Sequence, residues 1–298
     1  MRITQNMMGN NILRQISNGY GKIADYQDQL ASGKKITRPS QDPVVAAMGI
    51  SYRTDVSHVE QYLDNVTTAY KWLDSSDDAL TQLNDVLSRI RDLTVQASNG
   101  TYDAAQREAM STEIGQLTEQ IITIGNTQVG GQYIFSGADN RNPLLTKDGN
   151  GTITINQQAL DHPNMNIAVN DGITTPISVD PNQVFTETLF GDLNDLQQSL
   201  KDSASTNEGI GSYLSRIDTH LNRVTNTQAD LGALTNRIDM VKNRLGAQKT
   251  IATKVMSNNE DADYAETIIN LNQQQNVYNA SLSVGARIIQ TSLVDFLK

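Results

Sequence analysis

Cysteine is absent from the 298-residue chain. Disulfides, thiolate metal sites and cysteine nucleophiles are excluded together, and a thiol-free surface suits a protein that works outside the cell, although a cysteine-free cytosolic protein is also ordinary. Aromatic residues are scarce, at 5% with the single tryptophan Trp72. That is lean for a thick globular core but suits thin helical layers, in which each helix buries one stripe. No apolar stretch approaches the roughly 20 residues of a membrane span, and Met1 to Asn10 hold no apolar segment of the kind a secretory signal needs. Any export is therefore expected to use a route without a cleaved signal peptide. Positive charge is also short. The formal net charge is −10 and no Lys/Arg run forms a basic patch, so a nucleic-acid partner is not expected.

Proline is rare as well, with six in all. Four of them (Pro143, Pro163, Pro176 and Pro181) fall in the block 129–184. The same block holds the turn pairs Asp148-Gly149, Asn150-Gly151 and Asp171-Gly172. Between them run short alternating segments, Thr152-Ile153-Thr154-Ile155 and Asn166-Ile167-Ala168-Val169, which read as strands joined in hairpins. The middle is expected to be a small inserted β-rich outer domain.

What the flanks do have is a seven-residue rhythm. From Tyr52 it passes through Val59, Val66, Leu73, Leu80, Leu87 and Thr94. A companion row, Val56, Leu63 and Tyr70, reads as changing register before Leu83, Ile90 and Ala97. Asp77 falls at that change and is expected to mark a loosening of the seam. The second flank answers with Ile217, Val224, Leu231, Ile238, Leu245 and Ala252, its companions being Leu214 and Leu221, then Leu234, Val241 and Val255 after a similar shift. Apolar repeats of this period wind helices about one another. At 1.5 Å per residue, 52–97 spans about 69 Å and 213–256 about 66 Å. The fold class is therefore mainly α, a long antiparallel helical coiled-coil rod carrying the β-rich insertion.

Boundary residues fit this division. Asp42-Pro43 offers a helix cap before a proline at the first helical position. Asn99-Gly100 is a stop, Asp103 with Gln106 resembles a capping box opening a third helix towards Asn126, and Ser257 to Asp261 marks another stop and start. The expected parts are a terminal helix and loop (1–42), helices (43–128), the β-rich domain (129–184), helices again (185–256) and a last helix (257–298).

The two ends are candidates for assembly. Residues 5–35 carry Ile12, Ile16, Tyr20, Ile23 and Leu30 on one face. Residues 262–297 carry Tyr264, Ile268, Leu271, Tyr278, Leu282, Ile289, Leu293 and Phe296. An antiparallel rod brings these helices to one end, where each has only the other as partner. Ordering a residue costs about 1–2 kcal/mol of backbone entropy, which a single stripe scarcely offsets. Both ends are therefore expected to be loose until neighbouring subunits supply more helices. A complete intramolecular four-helix bundle is the alternative.

Catalytic chemistry finds little support. His58, His162 and His220 are isolated in sequence, without partners at metal-ligand spacing, and read as solvated or capping residues. Gly130-Gly131 lacks the Lys-Ser/Thr of a phosphate loop and reads as a bend. No nucleophile elbow is present. The expectation is a structural subunit that is not an enzyme and carries no cofactor or metal.

Several stretches resemble one family. Met1-Arg2-Ile3 and Leu30-Ala31-Ser32-Gly33-Lys34-Lys35-Ile36 look like the N-terminal signature of the flagellins, and Arg89 to Ala97 looks like their second helix. Gln228-Ala229-Asp230-Leu231-Gly232-Ala233-Leu234 resembles their C-terminal rod. The prolines of Arg38-Pro39-Ser40-Gln41-Asp42-Pro43, the segment Gly131 to Gly137 followed by Pro143, and the ending Ser292 to Leu297 resemble the branch at the hook–filament junction. Filament subunits usually differ there. The resemblance implies an extracellular axial protein of the bacterial flagellum, exported through the flagellar type III apparatus. It would join hook-associated protein 1 to the flagellin filament in a ring with copies of itself, after release from a cytosolic export chaperone. A filament flagellin is the near alternative, and a cytoplasmic coiled-coil signalling adaptor the one from another class.

Overall fold

A computed structural model describes residues 5–99, 102–149, 151–202 and 205–294. Met1-Arg2-Ile3, Gly100 of the expected stop, Asn150 of an expected turn and Phe296 lie outside them. The long helices are α1 (Gln5–Ser32), α2 (Pro43–Ser98), α3 (Ala104–Gly125), α6 (Glu187–Lys201), α7 (Asn207–Glu260) and α8 (Tyr264–Val294). Between α3 and α6 lie β1 (Gln128–Val129), β2 (Gln132–Tyr133), β3 (Leu145–Lys147), β4 (Ile153–Ile155), β5 (Asn166–Asn170) and β6 (Ile173–Pro176). The short helices α4 (Gln157–Asp161) and α5 (Pro181–Val184) accompany them. No described helix is long and apolar enough to cross a membrane. The chain divides into two compact units, Met1–His58 with Gln248–Lys298, and Val59–Ala247. The sequence of α2 and that of α7 each contribute to both.

The second unit is built on the seven-residue rhythm. Val66, Leu73, Leu80, Leu87 and Thr94 are buried on α2, and Ile217, Val224, Leu231, Ile238 and Leu245 on α7. The expected register shifts are absent. On α2 the second buried row is Ala69, Ser76, Leu83, Ile90 and Ala97, and a third is Trp72, Ala79, Val86 and Leu93, all at unbroken steps of seven. On α7 the second row passes through Tyr213, His220, Thr227, Leu234 and Val241, with His220 and Thr227 buried. An apolar count misses the small and polar members of these rows and sees a phase change instead. Their burial is tolerable because each hydroxyl donates to the carbonyl one turn back: Ser76 to Trp72 at 2.8 Å, Thr94 to Ile90 at 2.7 Å, Thr227 to Arg223 at 2.8 Å. Asp77 is exposed on α2 beside a buried Ser76, so it loosens nothing.

Polar contacts fix the antiparallel register. The Tyr70 hydroxyl donates to Asp239, Gln228 donates to Thr81 Oγ1 at 3.2 Å, and Arg91 Nε donates to Asp218 at 2.6 Å. Positions rising along α2 meet positions falling along α7 by equal steps. Two further helices close a bundle. Arg89 pairs with Glu113 of α3 at 2.7 Å. Ser111 of α3 and Gln197 of α6 exchange side chain-to-backbone bonds of 3.0 and 3.2 Å. Asp192 of α6 pairs with Arg216 of α7 at 3.0 Å. The expected capping box of α3 is present: Gln106 N donates to Asp103, and Asp103 N donates to the Gln106 side chain. On α6, Leu189, Phe190, Leu193, Leu196 and Leu200 face the core.

The strands of the middle segment form three separate antiparallel pairs. Gly130 and Gly131, at φ of 60° and 80°, make the two-residue turn between β1 and β2. Only glycine takes both positive angles without strain, so the expected bend is a tight hairpin. The Asp148 side chain accepts from Thr152 N at 2.9 Å between β3 and β4. The segment is held to helices of its own unit by named bonds. Asn126 brackets the Leu145 backbone at 2.7 and 3.0 Å, and Asn65 of α2 donates to the Ala168 carbonyl at 2.9 Å. Phe135 meets Phe185 edge-on at 5.1 Å beneath it.

Candidate assembly interface

In the first unit α1 and α8 pack antiparallel. A side-chain carbon on Gly285 would lie 3.0 Å from Ile12, and one on Gly19 would lie 3.3 Å from Gln274. Tyr20 meets Tyr278 with ring centroids 6.3 Å apart. Of the expected interface residues, Ile23 is buried, while Ile12, Ile16, Leu30 and Leu271 are half-buried along this contact. Ile268 and Leu282 are exposed, as are Tyr20 and Tyr264 of the same predicted stripes. Ile289 and Leu293 fall on the last turns of α8, and their side chains, like all of Phe296, lie outside the described set.

Sequence reasoning missed half of the apolar surface. Met7, Met8 and Leu13 of α1, and Ile269, Val277 and Val284 of α8, are exposed. The signal was present as the doublets Met7-Met8, Ile12-Leu13 and Ile268-Ile269. Adjacent helical residues point about 100° apart, so a doublet dresses two faces where a pair of helices covers only one. Large apolar patches left open on a soluble chain mark interaction surfaces.

The two helices are joined at their bases by the Gly33-Lys34-Lys35 motif. Lys35 N donates to the Glu260 carbonyl at 2.6 Å, and Ala262 N donates to the Gly33 carbonyl at 2.9 Å, forming an antiparallel bridge. Gly33 at φ 69° lets α1 end and turn into it. Lys34 Nζ reaches Asp261 at 2.7 Å and Glu260 at 3.4 Å, while Arg53 Nε reaches Glu260 at 2.7 Å. The hydrogen bond to Asp261 holds the Lys34 ammonium above its ordinary value. Lys34, then the Ser257 hydroxyl, hold the Asp261 carboxyl below its own.

The histidines lie elsewhere. His162 is exposed at the C-cap of α4. His58 is exposed on α2. His220 corrects the solvated reading, being buried with Nε2 2.9 Å from Asp192. Among the described residues no group of three or more His, Asp or Glu is arranged to hold a metal ion.

A helical subunit with paired terminal helices, open apolar faces and a polar clasp around one buried carboxylate belongs to the class of proteins that work by packing against others. The chain matches the bacterial flagellin N-terminal helical region over residues 3–140 and the C-terminal helical region over residues 214–297. It belongs to the flagellin family and is a structural component of the bacterial flagellum. It is 28% identical to flagellar hook-associated protein 3 of Escherichia coli, over 94% of this chain and 95% of the relative. It is 26% identical to a flagellin of Bacillus subtilis, over 97% of each. The crystal structure of a flagellar hook-associated protein 3 from Legionella pneumophila shares the fold, with a TM-score of 0.61 at 13% identity. That match covers 70% of this chain and 97% of the other.

Proposed function

We propose that the chain is the junction subunit between hook and filament, acting by packing alone and without catalysis or cofactor. The observation that carries this reading is the open apolar surface of α1 and α8, which a pair of helices leaves uncovered and neighbouring subunits can cover. Ile12, Ile16, Ile23, Leu30 and Leu271 hold the pair together. Leu13, Tyr20, Ile268, Ile269, Val277 and Leu282 face the partners. Those partners are hook-associated protein 1 on one side, flagellin on the other, and copies of the chain in a ring. Before assembly a cytosolic export chaperone covers the same apolar surface. Export proceeds through the flagellar type III apparatus without a cleaved signal peptide, and the protein ends outside the cell.

A loosely held α1–α8 pair in the dilute monomer, closed but readily opened, is part of the same proposal, since one shared stripe offsets little of the ordering cost. The test is immunogold labelling together with Ile269→Asp. The wild-type chain is expected to mark one narrow band at the far end of the hook. The variant is expected to be secreted, folded in its second unit and absent from the flagellum. An Ile269→Asp chain that attaches normally would end this assignment. The full-length similarity to Bacillus subtilis flagellin supports a second reading as a filament subunit. Growth of long filaments from seeds by the purified chain would favour it.

A further inference from the structure

We propose that Glu260 is a latch tying α1 to α8, so that the two terminal helices dock and release as one unit. The idea deepens the assembly reading, because it assigns a control point to the helices that reading uses. Glu260 is 5% exposed, yet carries a carboxylate. A buried charge persists only when compensated. Its two cations come from different places in the chain, Arg53 on α2 at 2.7 Å and Lys34 just beyond α1 at 3.4 Å. The space it occupies is made by Gly49, where an added side-chain carbon would lie 2.5 Å from Glu260 Oε1. The carboxylate is thus held by charge from two sides and by shape from a third.

Coupling follows from where the backbone runs. Gly33 is the first residue after α1, and Glu260 to Ala262 lie just before α8 begins at Tyr264. The two bridge bonds, Lys35 N to Glu260 O and Ala262 N to Gly33 O, therefore sit at the bases of both helices at once. Lys35 Nζ adds a bond to the Asn258 carbonyl at 2.6 Å, and Asn259 donates to the Val45 carbonyl at 3.0 Å. Withdrawing the Glu260 charge leaves Arg53 and Lys34 without their shared anion. The bridge then keeps its two backbone bonds and the Lys34–Asp261 pair at 2.7 Å, but it loses the one carboxylate that joins Lys34 beyond α1 to Arg53 on α2.

The test is hydrogen exchange on the full chain carrying Glu260→Gln, which keeps shape and removes charge, and separately Gly49→Ala, which keeps the charge and crowds it. Both are expected to raise exchange across α1 and across α8 together, by roughly tenfold or more. Exchange in α3, in α6 and in the buried part of α2 is expected to stay unchanged. Loosening of one terminal helix alone, loosening of neither, or equal loosening of α3 and α6 would each overturn the latch. The measurement uses the isolated chain. A failed junction assignment, read from Ile269→Asp attachment, would therefore leave its outcome standing.

Discussion

The helical seam of the second unit and the terminal pair of the first draw on a similar stock of apolar residues, yet they end in opposite states. Leu80 in the seam is 0% exposed, whereas Ile269 on α8 is 64% exposed. The difference lies in the number of neighbours. Three adjacent rows of α2 are buried because α7, α3, α6 and the strand segment share the work of covering them. The helices α1 and α8 have one another, and a helix facing one partner hides one stripe. An open apolar face therefore reports missing partners and says nothing of a weak sequence.

The largest expected effect tests that contrast directly. Leu80→Ala removes a fully enclosed side chain and is expected to lower stability by about 2–5 kcal/mol. Ile269→Ala is expected to change it by no more than about 0.5 kcal/mol, as at an exposed site. Denaturant unfolding of the two variants side by side checks this. Equal losses would mean that Ile269 is covered in the free chain, and the comparison would fail.

A smaller loss should come from the polar part of the seam. Asp192 accepts from Arg216 at 3.0 Å and lies 2.9 Å from the buried His220. Removing it in Asp192→Ala leaves the buried imidazole and a cation unpaired, at an expected cost of about 1–3 kcal/mol. The decisive control is His220→Leu in the same background. If Asp192→Ala costs less there than in the wild type, the pair acts as argued; an equal cost would assign the loss to Arg216 alone.

These cases also mark how far the sequence could be read. Helix extents, the capping box at Asp103, the turns at Asp148 and Asp171 and the buried sevens from Val66 to Leu87 were legible because each is local chemistry or a strict period. The continuity of the seam was not. Ala69, Ser76, His220 and Thr227 carry it, and their burial depends on hydroxyl bonds to the preceding turn or on Asp192 across the bundle. Nor could α1 and α8 be divided into inner and outer faces, because doublets such as Ile268-Ile269 supply candidates for both. The clasp was visible as the Gly33-Lys34-Lys35 motif, but its counterpart Glu260 lies far along the chain and bears no local mark.

Acid should separate the two regions by a smaller amount. The Asp261 carboxyl is held below its ordinary value of 3.8, chiefly by the hydrogen bond from Lys34. A lowered carboxyl stabilises the fold above its unfolded value, and that contribution disappears as pH falls through the folded one. The base of the α1–α8 pair is therefore expected to loosen as pH falls below the ordinary carboxyl value of 3.8. Proteolytic trimming of α1 after acid exposure reads this, and Asp261→Asn should show the looser behaviour already at pH 6. Identical acid responses in the variant and the wild type would remove Asp261 from the clasp.

The smallest effect is spectroscopic and bears on the register of the seam. Tyr70 is pushed up to about 12 from an ordinary 10.0, first by burial and then by its hydrogen bond to Asp239. Lys242 Nζ stands 4.9 Å over the ring. Because the raised value belongs to the neutral phenol, its contribution is present below pH 10 and is lost as pH rises through about 12. The difference in phenolate absorbance between the wild type and Tyr70→Phe is expected to rise near that higher pH. Asp239→Asn should move the step downward. A slip of α7 against α2 by one turn would part Tyr70 from Asp239, and the step would then sit near the ordinary tyrosine value in both chains.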